Sequence, residues 1–279
     1  MSSLLRIRQL YPRLALNERR LADFLLSQPD RARHLSSQKL AEEAGVSQSS
    51  VVKFAQKLGY KGFPALKLAL SESMADRDAI TVHNHILSDD PLKVVGEKLL
   101  TEKISAIRAT LDINSEEKLM QTLQLLKNAN RILLVGIGAS GLVAKDFSWK
   151  LMKIGINAVA EQDMHALLAS VQAMAPGDVL LAISYTGERR EINLAAQEAA
   201  QVGADVLAFT GFTPNALQQC ATICLYTVAE EQSTRSAAIS STSAQLALTD
   251  LLFMALVQND PERASSHIRH SEALVKKLV

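Results

Sequence analysis

Residues 132–141 read Ile-Leu-Leu-Val-Gly-Ile-Gly-Ala-Ser-Gly, an apolar run of strand length that leads directly into a glycine-rich turn. The spacing of apolar residues that follows predicts a helix over residues 142–154. A strand, a tight turn and a helix form the repeating unit of parallel sheets, because the helix returns the chain to the starting end of the next strand. This stretch therefore favours an α/β fold.

The same alternation continues through the second half of the chain. Further strands are predicted at residues 158–160, 179–183, 206–209 and 223–226, and further helices at residues 164–174, 191–202 and 242–258. Upstream, Asn114 and Glu117 are spaced like a capping box, which predicts the start of another helix. We expect a parallel five-stranded sheet covered by helices on both faces.

Two predicted loops, residues 136–141 and residues 184–188, follow strands and contain glycine and hydroxyl residues. Open parallel sheets bind ligands at the carboxyl ends of their strands, and main-chain N–H groups before a helix suit a phosphate group. An alternative is that these hydroxyls only cap helices. The candidate ligand-binding residues in the two loops are Gly138, Ala139, Ser140, Ser184, Tyr185, Thr186 and Gly187.

The N-terminal region has a different pattern, which predicts an all-α domain. A short helix over residues 38–44, a glycine turn at Gly45 and a second helix over residues 48–58 are typical of a helix-turn-helix. Short polar side chains near the start of the second helix suit base edges in a major groove, and lysines suit phosphates. An ordinary three-helix bundle with a solvated polar face is the alternative. The candidate DNA-binding residues are Ser47, Gln48, Ser49, Ser50, Lys53, Lys57 and Lys61.

The charge is distributed unevenly along the chain. Lys and Arg number 30 and Asp and Glu number 29, so the formal net charge is only +1. Residues 1–77 hold 13 basic and 7 acidic residues, a balance of +6, whereas the remainder holds 17 and 22, a balance of −5. A chance fluctuation of surface charge is the alternative. The split indicates an anionic partner for the first region and, together with the helix-turn-helix spacing, favours double-stranded DNA as that partner.

Composition excludes several other classes. With 279 residues, 48% hydrophobic and 21% charged, the chain is globular rather than disordered, and long enough for two domains. Aromatic residues make up 4%, too few for a platform that stacks single-stranded bases. Cys220 and Cys224 lack a second Cys or His pair for a metal and fit a reducing compartment. The chain has no uninterrupted apolar run of about 18 residues, the length that predicts a membrane-spanning helix. We expect a cytoplasmic protein with no metal ion, cofactor or membrane partner.

The run from His34 to Phe63 closely resembles the helix-turn-helix of RpiR-type bacterial regulators, and residues 64–71 resemble the helix that follows it there. In that family the helix-turn-helix domain precedes a sugar isomerase (SIS) domain. The Ser-x-Thr-Gly of the second loop resembles the SIS phosphate loop, and the first loop resembles the Gly-x-Ser turn. Residues 239–242, Ile-Ser-Ser-Thr, resemble the segment that opens the last SIS helix.

The resemblance implies a role for each of these segments. Ser184 and Thr186 would bind the phosphate, and Ser140 with the main chain of residues 138–140 would face the sugar. Ser240 and Ser241 would line the far wall. Tyr185 is bulky for its position and is expected to narrow the pocket, which leaves the identity of the ligand open.

The domain arrangement and assembly follow from the same resemblance. We expect a helix-turn-helix domain over residues 1–77, a linker and connecting helix over 78–119, an SIS domain over 120–262 and a C-terminal tail over 263–279. The resemblance also implies a homodimer or homotetramer formed through the SIS domains. The interpretation is a transcriptional regulator, not an enzyme, that binds an operator and senses a phosphosugar.

Two other functions remain open at this point. An isomerase of the same fold needs a base to move a proton between sugar carbons, but no motif fixes any carboxylate or histidine over a sugar. The candidates for that base are Glu188, Glu191, Glu231, His165 and His85. A nicotinamide-binding redox sensor would use the Gly-x-Gly-x-x-Gly of residues 136–141, with Glu161 near the ribose position.

Overall fold

The computed structural model describes residues 3–72, 81–230 and 238–278. The chain divides into two compact units that are not simply consecutive in sequence. The first unit contains the described residues up to Ser105, together with Ala229 and Glu230. The second contains residues 106–228 and the described residues from Ala238 onward.

The first unit begins with an all-α region. Its helices are α1 (Ser3–Leu10), α2 (Leu16–Ser27), α3 (Pro29–Ala32), α4 (Ser37–Glu43), α5 (Gln48–Lys57) and α6 (Phe63–Glu72). Their apolar positions meet in one core that includes Leu21, Leu25, Leu40, Phe54 and Leu66, all of which are fully buried. The helix-turn-helix predicted from the sequence is therefore present as α4 and α5, within a residue of the expected bounds at each end.

Two serines begin the helices of this motif. The hydroxyl of Ser36 accepts a hydrogen bond from the N–H of Lys39 at the start of α4, and that of Ser47 accepts one from the N–H of Ser50 at the start of α5. Each bond satisfies a main-chain donor that the first turn of a helix leaves without a partner. These two caps fix where α4 and α5 begin.

The region expected to hold a linker and a connecting helix contains that helix and, before it, a hairpin. Strands β1 (Thr81–His83) and β2 (Ile86–Leu87) form an antiparallel hairpin, and α7 (Leu92–Ile113) follows it. The side-chain amide of Asn84, in the turn, donates to Glu102 Oε1 at 2.7 Å. The hairpin therefore packs on α7 instead of forming an extended linker.

The second unit is an α/β sandwich. Its strands are β3 (Ile132–Gly136), β4 (Ala158–Ala160), β5 (Val179–Ser184), β6 (Asp205–Gly211) and β7 (Ile223–Thr227). Its helices, after the end of α7, are α8 (Glu116–Asn128), α9 (Ala139–Lys153), α10 (Met164–Val171), α11 (Arg190–Gln201), α12 (Ala216–Cys220), α13 (Ile239–Asn259) and α14 (Pro261–Val275). All five strands are parallel in the order β4-β3-β5-β6-β7, which confirms the predicted fold.

The strand order places a crevice at one point of the sheet. From β3 the chain moves outward to β4, then crosses to the other side of β3 to continue with β5. The loops that leave β3 and β5 therefore diverge to opposite faces. Such a switch point is where open parallel sheets bind ligands. The two glycine and hydroxyl loops identified in the sequence are the loops on either side of it.

Alternation along the strands buries both faces of the sheet. Leu134, Leu181 and Phe209 lie on the face that packs against α9 and α13, and Leu180 and Val206 lie on the face that packs against α10 and α11. Helix α13 is apolar and long enough to cross a membrane by length and composition alone. Its residues contribute to the first of these clusters, so in this structure it is a core helix of the sheet domain.

Two local expectations are corrected. The residues expected to form a C-terminal tail instead form α14, whose Ala264 is buried in the core of the second unit. Helix α8 is capped by Ser115 rather than Asn114. The side chain of Asn114 accepts from the N–H of Tyr226 and donates to its carbonyl, each at 2.8 Å. Asn114 thus satisfies the open edge of β7, as a neighbouring strand would.

Candidate functional site

The first loop turns sharply between β3 and α9. Gly138 has φ 62° and ψ −128°, a combination essentially restricted to glycine. Its carbonyl accepts from the N–H of Gly141 at 3.0 Å, which closes the first turn of α9. Ala139 and Ser140 are half-buried in that turn. The turn brings the Ser140 hydroxyl to the end of the sheet, within 3.3 Å of Gln245 Oε1 on α13.

The second loop begins with a buried hydroxyl at the end of β5. Ser184 is 4% exposed, and the N–H of Gly187 lies 3.1 Å from its carbonyl and 3.2 Å from its Oγ. The hydroxyl of Thr186 is exposed and accepts weakly from the N–H of Glu188 at 3.4 Å. Tyr185 is half-buried and its carbonyl accepts from the N–H of Gly211. Residues 184–187 form a compact turn in which the Ser184 hydroxyl is buried and the Thr186 hydroxyl is exposed.

Gly187 is required at its position in this turn. Its φ is +67°, and a Cβ there would lie 2.0 Å from Asn215 Oδ1. Asn193, on α11, donates to the Gly187 carbonyl at 3.1 Å, and Asn215 caps α12 through the N–H of Gln218. The loop is therefore clamped between two asparagine side chains and allows little room for any larger residue.

The start of α13 adds two buried serines. Ser240 and Ser241 are almost wholly buried, and Ser241 Oγ donates to the carbonyl of Ala238 at 3.3 Å. One turn further along α13, Gln245 meets Ser140 of the first loop. The structure thus joins the first loop to α13, whereas the second loop is placed beside the first by the neighbouring strands β3 and β5.

Three residues near this site were not predicted from the sequence. Gln245, Asn193 and Thr210 are buried, and each has one polar side-chain atom without a hydrogen-bond partner. In the sequence, a Gln or Asn within a helix and a Thr within a strand carry no special signal, because only the packing shows that they are buried.

Two of the acidic residues considered for the alternative functions, Glu161 and Glu188, have structural contacts. Glu161 Oε1 accepts from the main-chain N–H groups of Gln162 and Asp163, at 2.8 and 2.9 Å, and so organises its own turn. Glu188 Oε1 accepts from the N–H of Ala216 at the start of α12. His85 lies in the first unit, 3.8 Å from Glu230, and Glu231 falls outside the described residues.

No side-chain cluster in the described ranges suits a metal ion, since no group of three or more His, Cys, Asp and Glu is found there. Cys220 and Cys224 are free thiols and are half-buried. Burial raises the pKa of Cys224, and the charge of Lys118 opposes this only in part. A raised pKa lowers the thiolate fraction, so Cys224 is a poor nucleophile.

The start of α5 presents most of the predicted DNA contacts on one exposed face. Ser47, Gln48, Ser49, Lys53, Lys57 and Lys61 are exposed, and Ser50 is half-buried. The hydroxyl of Ser47 lies 2.9 Å from that of Ser49 and 2.8 Å from that of Ser50, and Gln48 donates to Ser37 at 2.9 Å. These short side chains are ordered by one another and remain open to solvent.

The three lysines differ in their surroundings. Lys57 Nζ lies 2.6 Å from Glu18 Oε2, so its charge is already paired within the first unit. Lys53 and Lys61 are exposed and form no ion pair with any described residue. Val52, an apolar residue of α5, is 36% exposed beside Lys53. The free positive charge at this face therefore comes from Lys53 and Lys61.

Comparison with known proteins identifies both units. Residues 1–77 match the family model "Helix-turn-helix domain, rpiR family", and residues 125–255 match the model "SIS domain". The chain is 67% identical, over the whole length of both proteins, to the Escherichia coli K12 protein described as "Uncharacterized HTH-type transcriptional regulator YfhH". The chain belongs to the RpiR family. It is a helix-turn-helix transcriptional regulator with an SIS domain, as the sequence predicted.

Solved structures of similar fold support this architecture. The chain resembles Vibrio vulnificus NanR in complex with ManNAc-6P, at 22% identity and a TM-score of 0.66, over 100% of this chain and 99% of that one. It also resembles a putative sugar-phosphate isomerase from Listeria monocytogenes, at 22% identity and a TM-score of 0.57, over 63% of this chain and 97% of that one. This chain therefore shares its fold with NanR and with that putative isomerase, and the two likenesses extend to the fold alone.

Proposed function

We propose that this RpiR-family regulator binds an operator in double-stranded DNA through α5 and senses a phosphosugar at the carboxyl end of its sheet. The observation that carries the proposal is the position of the two hydroxyl loops. They leave β3 and β5, on either side of the switch point, where a ligand can contact both. NanR, which shares the fold, was solved with ManNAc-6P, a phosphosugar.

In the proposed binding mode the second loop holds the phosphate. The hydroxyls of Ser184 and Thr186 and the N–H groups around Gly187 precede α11, whose N-terminal end favours an anion. Ser140 and the main chain of residues 138–140 contact the sugar, and Ser240 and Ser241 close the far side. Tyr185 narrows the pocket. The phosphate supplies most of the affinity and the sugar contacts supply the selectivity.

On the DNA side, Gln48, Ser49 and Ser50 reach base edges while Lys53 and Lys61 contact phosphates. Ser47 sets the start of the helix, and Lys57 contributes less because Glu18 already pairs with it. A single helix-turn-helix domain contacts few bases, so we propose that the protein acts as a homodimer or homotetramer on two half-sites. It would act in the cytoplasm, where the operator is.

We further propose that the SIS domain binds its ligand without turnover. Glu188 accepts from the N–H of Ala216 in the first turn of α12, and Glu161 accepts from two N–H groups of its own turn, so these two carboxylates already have structural roles. The same use of Glu161 weakens the nicotinamide alternative, in which that side chain would bind a ribose. Incubation with each sugar phosphate, followed by product analysis, would show turnover if the isomerase alternative were correct.

The central test measures coupling between the two ligands. DNA fragments selected from the genome by the full-length protein are titrated at fixed salt, with and without a panel of sugar phosphates. At least one sugar phosphate should change the DNA affinity by about 5- to 150-fold, the usual range of allosteric coupling. The Ser184→Ala/Thr186→Ala protein should bind the same DNA and lose the response. An unchanged DNA affinity across the whole panel would refute sensing.

A further inference from the structure

Partnerless polar atoms are concentrated at one end of the second unit. Among its described residues, three buried side-chain atoms lack a hydrogen-bond partner: Gln245 Nε2, Asn193 Oδ1 and Thr210 Oγ1. Asn193 donates to Gly187, Thr210 is in register with Ser184 across the β5–β6 pair, and Gln245 accepts from Ser140. All three residues therefore adjoin the two candidate loops. Buried polar groups are nearly always paired, because an unpaired one costs about 1–3 kcal/mol.

Gln245 is the most informative of the three. It is 1% exposed and lies on α13, one turn after Ser240 and Ser241. Its Oε1 accepts from Ser140 Oγ, and its Nε2 carries two hydrogens without a protein acceptor. Turning the amide over would let Nε2 donate to Ser140 and would leave Oε1 without a partner instead. In either orientation one buried amide atom beside Ser140 remains to be satisfied.

We propose that Gln245 is a specificity-determining residue that hydrogen-bonds an oxygen on the sugar part of the effector, beside Ser140. The inference rests on the proposed phosphosugar site and adds a division of roles to it. Ser184 and Thr186 bind the phosphate, which every phosphosugar has. Gln245 distinguishes one sugar from another, because a ligand without an oxygen at that point leaves the buried amide unpaired.

The first test replaces the amide with an apolar side chain of similar length. Calorimetric titrations of the full-length Gln245→Met protein use hexose 6-phosphates, N-acetylhexosamine 6-phosphates and inorganic phosphate. We expect affinity for the tightest sugar phosphate to fall about 10- to 100-fold, the effect of losing one well-made hydrogen bond in a closed site. Affinity for inorganic phosphate should stay within about twofold of the wild type. The matched control is Gln258→Met, an exposed position on the same helix, which should behave as wild type.

A second variant separates a ligand contact from a scaffold role. Gln245→Glu keeps an acceptor for the Ser140 hydroxyl and removes the donor. If Gln245 only positions Ser140, the Glu variant should bind the sugar phosphate like wild type, and the inference fails. If Gln245 donates to the sugar, the Glu variant should bind the sugar phosphate more weakly than the wild type does. Repulsion between the new carboxylate and the phosphate would weaken the binding of inorganic phosphate as much as that of the sugar phosphate, so the inorganic phosphate titration identifies it.

A third measurement needs no variant that could fail to fold. Monodeoxy analogues of the tightest-binding sugar phosphate are titrated into the wild type. Removal of the hydroxyl at one sugar position should lower the affinity about tenfold or more. Where a Gln245 variant folds, it should bind that analogue and the parent sugar equally. A wild type that tolerates every deoxy analogue overturns the inference. Full binding by Gln245→Met, with loss in Ser184→Ala, overturns this inference alone; a wild type that binds no sugar phosphate overturns the proposed function as well.

Discussion

The start of α5 and the carboxyl end of the sheet are both rich in small polar side chains, but they treat them differently. At the start of α5, the hydroxyl of Ser47 bonds to those of Ser49 and Ser50; Ser47 and Ser49 are exposed and Ser50 is half-buried. At the sheet end, Ser184 and Gln245 are buried and some amide and hydroxyl atoms have no partner. Polar groups on an exposed DNA-binding surface can hydrogen-bond to water until DNA replaces it, whereas polar groups buried in a small-molecule pocket find their partners on the ligand.

This contrast predicts that the sheet end will be the less tolerant of the two. The largest effect is expected for Gly187→Ala, which should lower the free energy of unfolding by about 2–4 kcal/mol. The positive φ disfavours alanine and the new Cβ would meet Asn215 Oδ1 at 2.0 Å. Urea unfolding of the full-length protein measures the change.

Gly96→Ala provides the matched control for that substitution. Gly96 is exposed within α7, and a Cβ there has no heavy atom within 4 Å. Alanine should raise the free energy of unfolding by about 0.5–1 kcal/mol, because glycine is the poorer helix former. Equal effects of the two substitutions would contradict the clamped geometry of the second loop.

Substitutions on α5 should change DNA affinity rather than stability. We expect Lys53→Ala to weaken DNA binding about 5- to 10-fold and to reduce the slope of log K against log salt by about 0.9, the value for one phosphate contact. Lys57→Ala, which breaks the pair with Glu18, should change the affinity by less than about twofold. Fluorescence anisotropy over a range of salt gives both values. Identical slopes for the two variants would show that the ion pair opens on DNA.

Ser47 tests whether a residue at this face serves the fold or the DNA. Ser47→Ala removes the cap of α5 and should cost about 1 kcal/mol of stability, whereas Ser47→Gly should cost only a few tenths. Thermal unfolding compares the two. If the hydroxyl also contacts DNA, both variants should lose the same DNA affinity despite their different stabilities; if it only caps, the glycine variant should bind normally.

The smallest effect concerns the Glu18–Lys57 pair. Burial raises the pKa of Glu18, but the hydrogen bonds from Lys57 and from the N–H of Ala15 outweigh it, so the pKa lies below its ordinary value of 4.5. A carboxyl with a lowered pKa in the fold stabilises above its unfolded pKa, and this stabilisation is lost as the pH falls through the folded value. Glu18→Gln should therefore lower the unfolding temperature slightly at pH 7 and not at pH 3. The same small decrease at both pH values would assign the effect to packing.

The sequence predicted the strands of the sheet well, because each is a buried apolar run bounded by turn residues. It did not predict the β1–β2 hairpin, since strands of two or three residues are too short to show an alternating pattern. It assigned the cap of α8 to Asn114, because Asn and Ser cap equally well and Ser115 is adjacent. Only the tertiary structure shows that Asn114 completes the edge of β7.

The candidate site was predictable where local sequence determines shape and was missed where packing does. Gly138, Ser184 and Gly187 stood out because turns before helices need these residue types. Gln245 did not, because nothing in the sequence shows that the first turn of α9 covers it. The roles of all these residues in binding remain predictions for the experiments above.

The path of the chain has a practical consequence for swapping parts between regulators. Ala229 and Glu230 follow the last strand of the sheet, yet they belong to the first unit, where Arg8 donates to the carbonyl of Ala229 and Asn84 to that of Glu230. A chimera that exchanges only the first 105 residues would thus transplant an incomplete part. A faithful graft would have to carry both segments, and its two junctions would need to be chosen together.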